Sequence, residues 1–176
     1  MNFKEDTIES NYIYKGKIIN VRKDKVELYN GKTSYREIVE HNGGVAIVAI
    51  TKQKEIILVK QYRKPFEEVI IEIPAGKLEK GEKPDYCAAR ELQEETGYIP
   101  KDLKLLTILY PSPGFSNEKL YIFYCSEMDI GHTNFDEGEN IELITKPFDE
   151  AVNMVYRGEI KDAKTVAGIL FAKFLI

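Results

Sequence analysis

The chain has 176 residues, of which 43% are hydrophobic and 31% are charged, a composition typical of one soluble globular domain with a small appendage. The formal net charge of −4 argues against a general nucleic-acid-binding protein. Apolar runs stay well short of the roughly 18 residues of a membrane span and no signal-peptide pattern is visible, so we predict a cytoplasmic protein without a membrane segment.

The N-terminal part of the chain is predicted to be a small β structure. Residues 1–10 are polar, and we expect them to be loose. From residue 11 to about residue 40, short β-like runs alternate with turns, and Asn30-Gly31 is typical of a hairpin. These strands have little to bury by themselves, so they need another surface, either within their own domain or on a second subunit.

A glycine-rich break, Asn42-Gly43-Gly44, marks a domain boundary. It separates an N-terminal β segment, residues 1–41, from a main domain, residues 42–176. The main domain contains the strand candidates GVAIVAI, EIILVKQ, EVIIEIP, LKLLTILY, KLYIFYCS and IELI. One central and two terminal helices interrupt or follow these strands, which predicts a layered α/β fold.

The two terminal helices are delimited by ordinary start and stop signals. The first is predicted from about Phe148 to Arg157, where Gly158 ends it. The second is predicted from about Ala163 to Leu175 in the phrase DAKTVAGILFAKFL, with Asp162 as its N-cap. We interpret the DAKT phrase as a cap and a packing element.

The central helix lies in the stretch from Gly76 to Tyr98, GKLEKGEKPDYCAARELQEETGY. Pro84 suits its first turn, and Gly97 suits the left-handed residue just beyond its end. Three acidic side chains share one face of this helix: Glu91, Glu94 and Glu95. They occupy the last turn, where the helix dipole favours cations instead.

Two interpretations of these acids compete. They can form a solvated acidic face, because charge runs usually do. Alternatively, hard oxygen ligands clustered without a neutralising lysine suit Mg²⁺ or Mn²⁺. Arg90 can relieve Glu94 four residues further on, whereas no local cation is expected to relieve Glu91 or Glu95.

The wider pattern favours the metal site. The fixed positions of a known signature are occupied by Gly76, Glu82, Arg90, Glu91, Glu94, Glu95 and Gly97, and its apolar positions by Leu92 and Tyr98. On these residues the chain resembles the Nudix hydrolase family. The resemblance implies a Nudix-type α/β/α sandwich with a mixed sheet, to which the N-terminal antiparallel β segment is joined.

The resemblance also implies metal ligands. Glu91 and Glu95 correspond to the glutamates that bind metal in similar enzymes, together with the backbone carbonyl of Ala75. Glu94 would complete the inner or water-mediated shell, oriented by Arg90. The expected ion is Mg²⁺, with Mn²⁺ as a possible substitute. For Glu82 the resemblance leaves two roles open, a structural one that ties the loop down and a part in metal binding.

Three further phrases resemble the ADP-ribose pyrophosphatase subfamily. SPGFSNE places Pro113 and Gly114 at the expected distance beyond the signature, and QYR contributes Arg63, which can contact a phosphate. Arg36 is a second candidate contact to the nucleotide. The acidic phrase DEGEN implies Glu137 as the general base and Glu139 as a further metal contact; Glu94 competes with Glu137 for the role of base.

We therefore predict Mg²⁺-dependent hydrolysis of ADP-ribose to AMP and ribose 5-phosphate. The alternatives are hydrolysis of another nucleoside diphosphate sugar, such as GDP-mannose, and an ADP-ribose or NAD sensor without catalysis. Related enzymes form homodimers in which N-terminal segments cross over to help build the adenine pocket. In such a dimer Tyr12 or Tyr14 would stack on adenine or pack at the interface. The two histidines, His41 and His132, are too isolated to suggest a metal site.

Overall fold

The computed structural model describes residues 3–134 and 140–176, which divide into two compact units. The first unit contains the described residues up to Gly43 together with Tyr110–Lys119. The second contains Gly44–Leu109 and the described residues from Leu120 onward.

The first unit is built on an antiparallel sheet of order β1-β2-β3. Its strands are β1 (Asp6–Lys15), β2 (Ile19–Glu27) and β3 (Thr33–His41). The hairpin predicted at Asn30-Gly31 is confirmed, and Gly31 adopts a φ of +76°, a conformation that glycine takes without strain. The expectation that residues 1–10 are loose is wrong from Asp6 onward, because β1 pairs with β2 through its backbone although all of its residues are exposed.

The second unit contains nine strands and three helices among its described residues. The strands are β4 (Gly44–Ala49), β5 (Glu55–Arg63), β6 (Glu68–Glu72), β7 (Ala75–Lys77), β8 (Tyr98–Pro100), β9 (Lys104–Leu109), β10 (Leu120–Cys125), β11 (Met128–Ile130) and β12 (Ile141–Pro147). The helices are α1 (Pro84–Thr96), α2 (Phe148–Tyr156) and α3 (Ala163–Ala172).

These strands form one mixed sheet and two antiparallel ones. The mixed sheet has the order β7-β4-β10-β9, with β4 and β10 parallel. The antiparallel sheets are β12-β5-β6 and β11-β8. The three-residue strands β7, β8 and β11 were not predicted, because strands this short carry no readable alternation.

Strand β4 shows why the unit is a sandwich. Its backbone is buried throughout, and successive side chains point to opposite faces. Val45 and Ile47 belong to a cluster with Cys87 and Leu92 of α1. The intervening Ala46 and Val48 belong to a second cluster that contains buried side chains of α2 and α3. Helices therefore cover both faces, which confirms the predicted α/β/α architecture.

The terminal helices begin where the sequence predicts. Asp162 caps α3 by accepting a hydrogen bond from the Thr165 backbone N–H at 3.0 Å. This helix ends at Ala172, three residues before its predicted end; Ala172 is the last buried residue and Phe174 is 90% exposed, so the core does not support a further turn. None of the helices in the described ranges combines the length and apolar character needed to cross a bilayer.

Candidate active site

Helix α1 forms as its sequence predicts. Pro84 starts it, and Asp85 lies in the first turn, where the dipole favours an acid. Gly97 ends it with a φ of +74°, and its backbone N–H donates to the Gln93 carbonyl at 2.8 Å. Because Ala88 and Leu92 are buried in the core, the acidic face of the last turns is fixed against strand β7.

Arg90 lies at the centre of the acidic group. Its Nη1 donates to Glu91 Oε1 and to Glu94 Oε2, each at 2.9 Å. Its Nε and Nη2 both donate to Glu82 at 3.1 Å. The prediction that Arg90 relieves Glu94 is thus confirmed, but the expectation that no local cation relieves Glu91 is wrong, because the guanidinium is wide enough to reach both acids.

These ion pairs perturb the group electrostatically. The hydrogen bond to Glu82 and the charge of Glu91 raise the pKa of Arg90 further above its already high value. The hydrogen bond from Arg90 in turn lowers the pKa of Glu82. The Glu82 carboxylate also accepts from the Glu79 backbone N–H at 3.0 Å, so it ties the loop before α1 to the helix.

Two of the acids are fitted against the backbone of β7. A Cβ atom added at Gly76 would lie 1.8 Å from Glu91 Cδ, so only glycine leaves room for this carboxylate. Glu95 is 4% exposed, and its Oε2 accepts a hydrogen bond from the Ala75 backbone N–H at 3.1 Å. Gly76 and Ala75, consecutive residues of strand β7, thus position Glu91 and Glu95, the first and last of the three glutamates of the helix.

The donor chemistry of this group fits a hard divalent cation. Carboxylate oxygens from α1 lie beside the backbone at Ala75 and Gly76, and oxygen ligands are those that Mg²⁺ and Mn²⁺ prefer. Within the described ranges no three acidic, histidine or cysteine side chains are already spaced as a ligand set. Arg90 engages one oxygen of Glu91 and one oxygen of Glu94, and since a carboxylate accepts at both of its oxygens, the same side chain can face Arg90 with one oxygen and a metal ion with the other.

Arg63, the predicted phosphate contact, ends strand β5 and is already paired. Its Nε and Nη2 donate to the two oxygens of Glu72 at 2.7 and 2.8 Å. This hydrogen bond is the main cause of the raised pKa of Arg63, to which the charge of Glu95 also contributes. A guanidinium has five N–H groups, and the two hydrogen bonds to Glu72 use only Nε and Nη2 of Arg63.

Glu72 is a buried partner of Arg63 that was not predicted from the sequence. It is 1% exposed, and besides Arg63 its carboxylate accepts a hydrogen bond from Lys164 Nζ. Burial favours the neutral acid, but Arg63 and Lys164 outweigh it and lower the pKa of Glu72. An acid inside the apolar run EVIIEIP is the signal that could have indicated it, whereas its partners, 9 and 92 residues away, could not be read from spacing.

The other predicted substrate contacts lie in the first unit. Arg36 donates through Nε and Nη2 to Glu5, at 2.9 and 2.5 Å. Exposed pairs of this kind contribute little free energy. Pro113 and Gly114 lie on an exposed turn closed by the hydrogen bond from the Ser116 N–H to the Ser112 carbonyl at 2.8 Å.

Tyr12, one of the two predicted aromatic contacts to adenine, makes its side-chain contacts within the first unit. Tyr12 donates from its hydroxyl to Glu40 at 3.0 Å, and the Lys15 ammonium lies 4.4 Å from the centre of its ring. The proposed base Glu137 and the further metal contact Glu139 lie outside the described residues.

Comparison with known proteins supports the same interpretation. The family model for the NUDIX domain matches residues 40–168, and that for the nucleoside diphosphate sugar hydrolase N-terminal domain matches residues 5–39. The chain is 46% identical over 172 residues to the ADP-ribose pyrophosphatase of Bacillus subtilis (strain 168), covering 97% of this chain and 93% of that protein. It is 43% identical over 171 residues to the methanol dehydrogenase activator of Bacillus methanolicus, covering 96% and 92%.

A solved structure supports the fold. The crystal structure of an ADP compounds hydrolase superposes with a TM-score of 0.87 at 21% sequence identity, covering 98% of this chain and 94% of that one. At that identity the likeness bears on the architecture alone.

Proposed function

The chain belongs to the NUDIX domain family, and from that premise we propose that it is a Mg²⁺-dependent ADP-ribose diphosphatase. The substrate follows from its similarity to the Bacillus subtilis enzyme over nearly the whole chain. The observation that carries the chemistry is the fit of Glu91 and Glu95 against Gly76 and Ala75, which collects carboxylates at one place on the strand.

The proposed mechanism gives each residue a role. Glu91, Glu95 and the Ala75 carbonyl would hold the metal, together with Glu139. When bound, the metal neutralises charge on the diphosphate oxygens and lowers the pKa of the attacking water. Arg90 would keep the acids oriented through its hydrogen bonds to Glu91 and Glu94.

The reaction is a displacement at phosphorus. The water oxygen forms a bond to one phosphorus of ADP-ribose, and the bond from that phosphorus to the bridging oxygen breaks. The water proton passes to a carboxylate, for which Glu137 and Glu94 are the candidates. Arg36 and Arg63 would bind phosphate oxygens, and the turn at Pro113 and Gly114 would contact the substrate. The second phosphate leaves, which gives AMP and ribose 5-phosphate.

We further propose a homodimer and a cytoplasmic location. Every residue of β1 is exposed, so a second copy could cover the apolar side chains of this strand. The two free cysteines, Cys87 and Cys125, are buried and unpaired, as is usual in a reducing compartment.

The test is product analysis on a small substrate panel. ADP-ribose, GDP-mannose and NAD are incubated with the chain and Mg²⁺ in ¹⁸O-labelled water, with EDTA as the control. We expect AMP and ribose 5-phosphate from ADP-ribose, the fastest turnover in the panel, with the label in one of the two products. Faster turnover of GDP-mannose would favour the rival sugar hydrolase. Binding of ADP-ribose without release of AMP would favour a sensor.

A second candidate function is activation of a methanol dehydrogenase. The relative that bears this name is almost as similar to the chain as the diphosphatase is, over a nearly equal length. Adding the protein to such a dehydrogenase should then raise its rate. An unchanged rate at stoichiometric amounts would exclude this function.

A further inference from the structure

The carboxylate of Glu72 connects two distant parts of the second unit. Arg63, at the end of β5, donates to both of its oxygens, and Lys164, in the first turn of α3, donates to Oε2. The Lys164 side chain is 12% exposed and also lies 3.0 Å from Asp162. A carboxylate buried this deeply is tolerated only when it is paired and hydrogen-bonded.

The charges of this group determine what Arg63 can offer to a substrate. Two cations, Arg63 and Lys164, face two carboxylates, Glu72 and Asp162. With Lys164 present the group has no net charge, and the negative charge of Glu72 is shared between Lys164 and Arg63. Without Lys164 the group carries one net negative charge, which would oppose the approach of a diphosphate.

The same turn of α3 also holds the strand segment that leads to the acidic site. The Ile73 backbone N–H donates to Thr165 Oγ1 at 2.9 Å, and Thr165 Oγ1 donates to Asp162 at 2.6 Å. Two residues further on, the Ala75 backbone N–H donates to Glu95. The segment between β6 and β7 is therefore fixed by α3 at one end and by α1 at the other.

We propose that Lys164 is a positioning residue for substrate binding, which acts through Glu72 to orient Arg63 and to keep its charge available to a phosphate of the substrate. This inference rests on the proposed function, because it takes the ligand to be a nucleoside diphosphate. It gives the first turn of α3 a role beyond capping the helix.

The experiment compares Lys164→Met with Lys161→Met. Lys161 lies three residues earlier and is exposed, and its ion pair with the exposed Glu68 is a long contact of 3.8 Å. Replacing Lys161 by Met therefore removes the same charge outside the network around Glu72. We expect Lys164→Met to raise KM for ADP-ribose about tenfold with little change in kcat, and Lys161→Met to behave like wild type. Lys164→Arg should restore most of the affinity. If Lys164→Met does not fold, the measurement is made with Lys164→Gln instead, which removes the charge but retains an N–H donor for Glu72.

A double-mutant cycle separates positioning from general destabilisation. If Lys164 acts through Arg63, adding Lys164→Met to Arg63→Gln should cause no further rise in KM. Independent effects that multiply would overturn the inference, as would a Lys164→Met enzyme that matches Lys161→Met.

Binding measurements keep this result distinct from the proposed function. Calorimetric titration of ADP-ribose in EDTA needs no turnover, and we expect the same tenfold weakening there. A wild-type chain that binds ADP-ribose but never releases AMP would contradict the proposed function alone. Equal affinities of the wild-type and Lys164→Met proteins would contradict the inference alone.

Discussion

At the scale of single residues, one guanidinium organises the candidate site. Arg90 hydrogen-bonds to Glu82, Glu91 and Glu94 at once, so the negative charge of the last helical turns is partly neutralised from within the motif. The sequence indicated the pair with Glu94, because spacing along a helix is fixed. It could not indicate the pair with Glu91, because neighbouring residues on a helix point in different directions and only a long, flexible side chain joins them.

Gly76 gives the sharpest test at this scale. Gly76→Ala places a methyl group where the Glu91 carboxylate lies. The carboxylate can swing away, so we expect a folded protein whose Mn²⁺ affinity falls about tenfold. The fraction of free Mn²⁺, measured by electron paramagnetic resonance, reports this affinity. An unchanged affinity would remove Glu91 from the proposed metal ligands.

Glu72 should make the free energy of unfolding depend on pH in the acidic range. Its pKa in the folded protein is lowered from 4.5, because Arg63 and Lys164 outweigh the effect of burial. Its contribution is therefore complete above about pH 4.5 and is lost as the pH falls through the folded-state pKa. We expect Glu72→Gln to be less stable at pH 7 and to lose less further stability in acid than wild type does.

Urea unfolding at a series of pH values measures this difference. Glu68→Gln, an exposed change on the same strand, is the matched control. Parallel pH profiles for the wild-type and Glu72→Gln proteins would contradict the assignment.

At the scale of secondary-structure elements, the long and strongly patterned segments were predictable. The ends of α1 and the start of α3 follow from Pro84, Gly97 and Asp162, whose local conformations are nearly independent of the rest of the fold. The end of α3 was not predictable, because it depends on where the core stops. The site itself depends on β7, a three-residue strand without a pattern of its own.

The N-terminus of α1 offers a stabilising change. Lys83 occupies the N-cap with extended backbone angles but makes no capping hydrogen bond. Lys83→Asp would supply an acceptor for the free N–H groups of the first turn and a charge that suits the dipole, so we expect a gain of about 1 kcal/mol in unfolding free energy. Thermal or urea unfolding measures it. Lys80→Asp, an equal charge change in the exposed loop before the helix, should give no such gain, and equal effects would refute the capping explanation.

At the scale of the whole molecule, the first unit lacks an adequate core of its own. Among its described residues Val26 is the one buried hydrophobic side chain, while Ile8, Ile13 and Tyr14 are each more than half exposed. The sequence predicted this shortage, because short alternating strands cannot enclose a hydrophobic core. The alternation of polar and apolar residues in one chain does not encode a partner surface, so none could be predicted from it.

We therefore expect a dimer of twice the 20.2 kDa chain mass, measurable by light scattering. Ile13→Asp would place a charge on an exposed apolar strand that a second copy would cover, and should shift the protein towards monomers. Ile130→Asp makes the same change at an exposed residue of the second unit and should leave the dimer intact. A wild-type monomer at micromolar concentration would contradict the proposed dimer.

The central claim is that the α1 carboxylates hold a divalent ion for hydrolysis of a diphosphate. The most direct measurement is AMP release from ADP-ribose in Mg²⁺ by the wild-type and Glu95→Gln proteins, with folding of both checked by circular dichroism. We predict steady release by wild type, none in EDTA, and a loss on the order of 100-fold or more in the variant. Release by Glu95→Gln at a rate close to that of wild type would contradict the account.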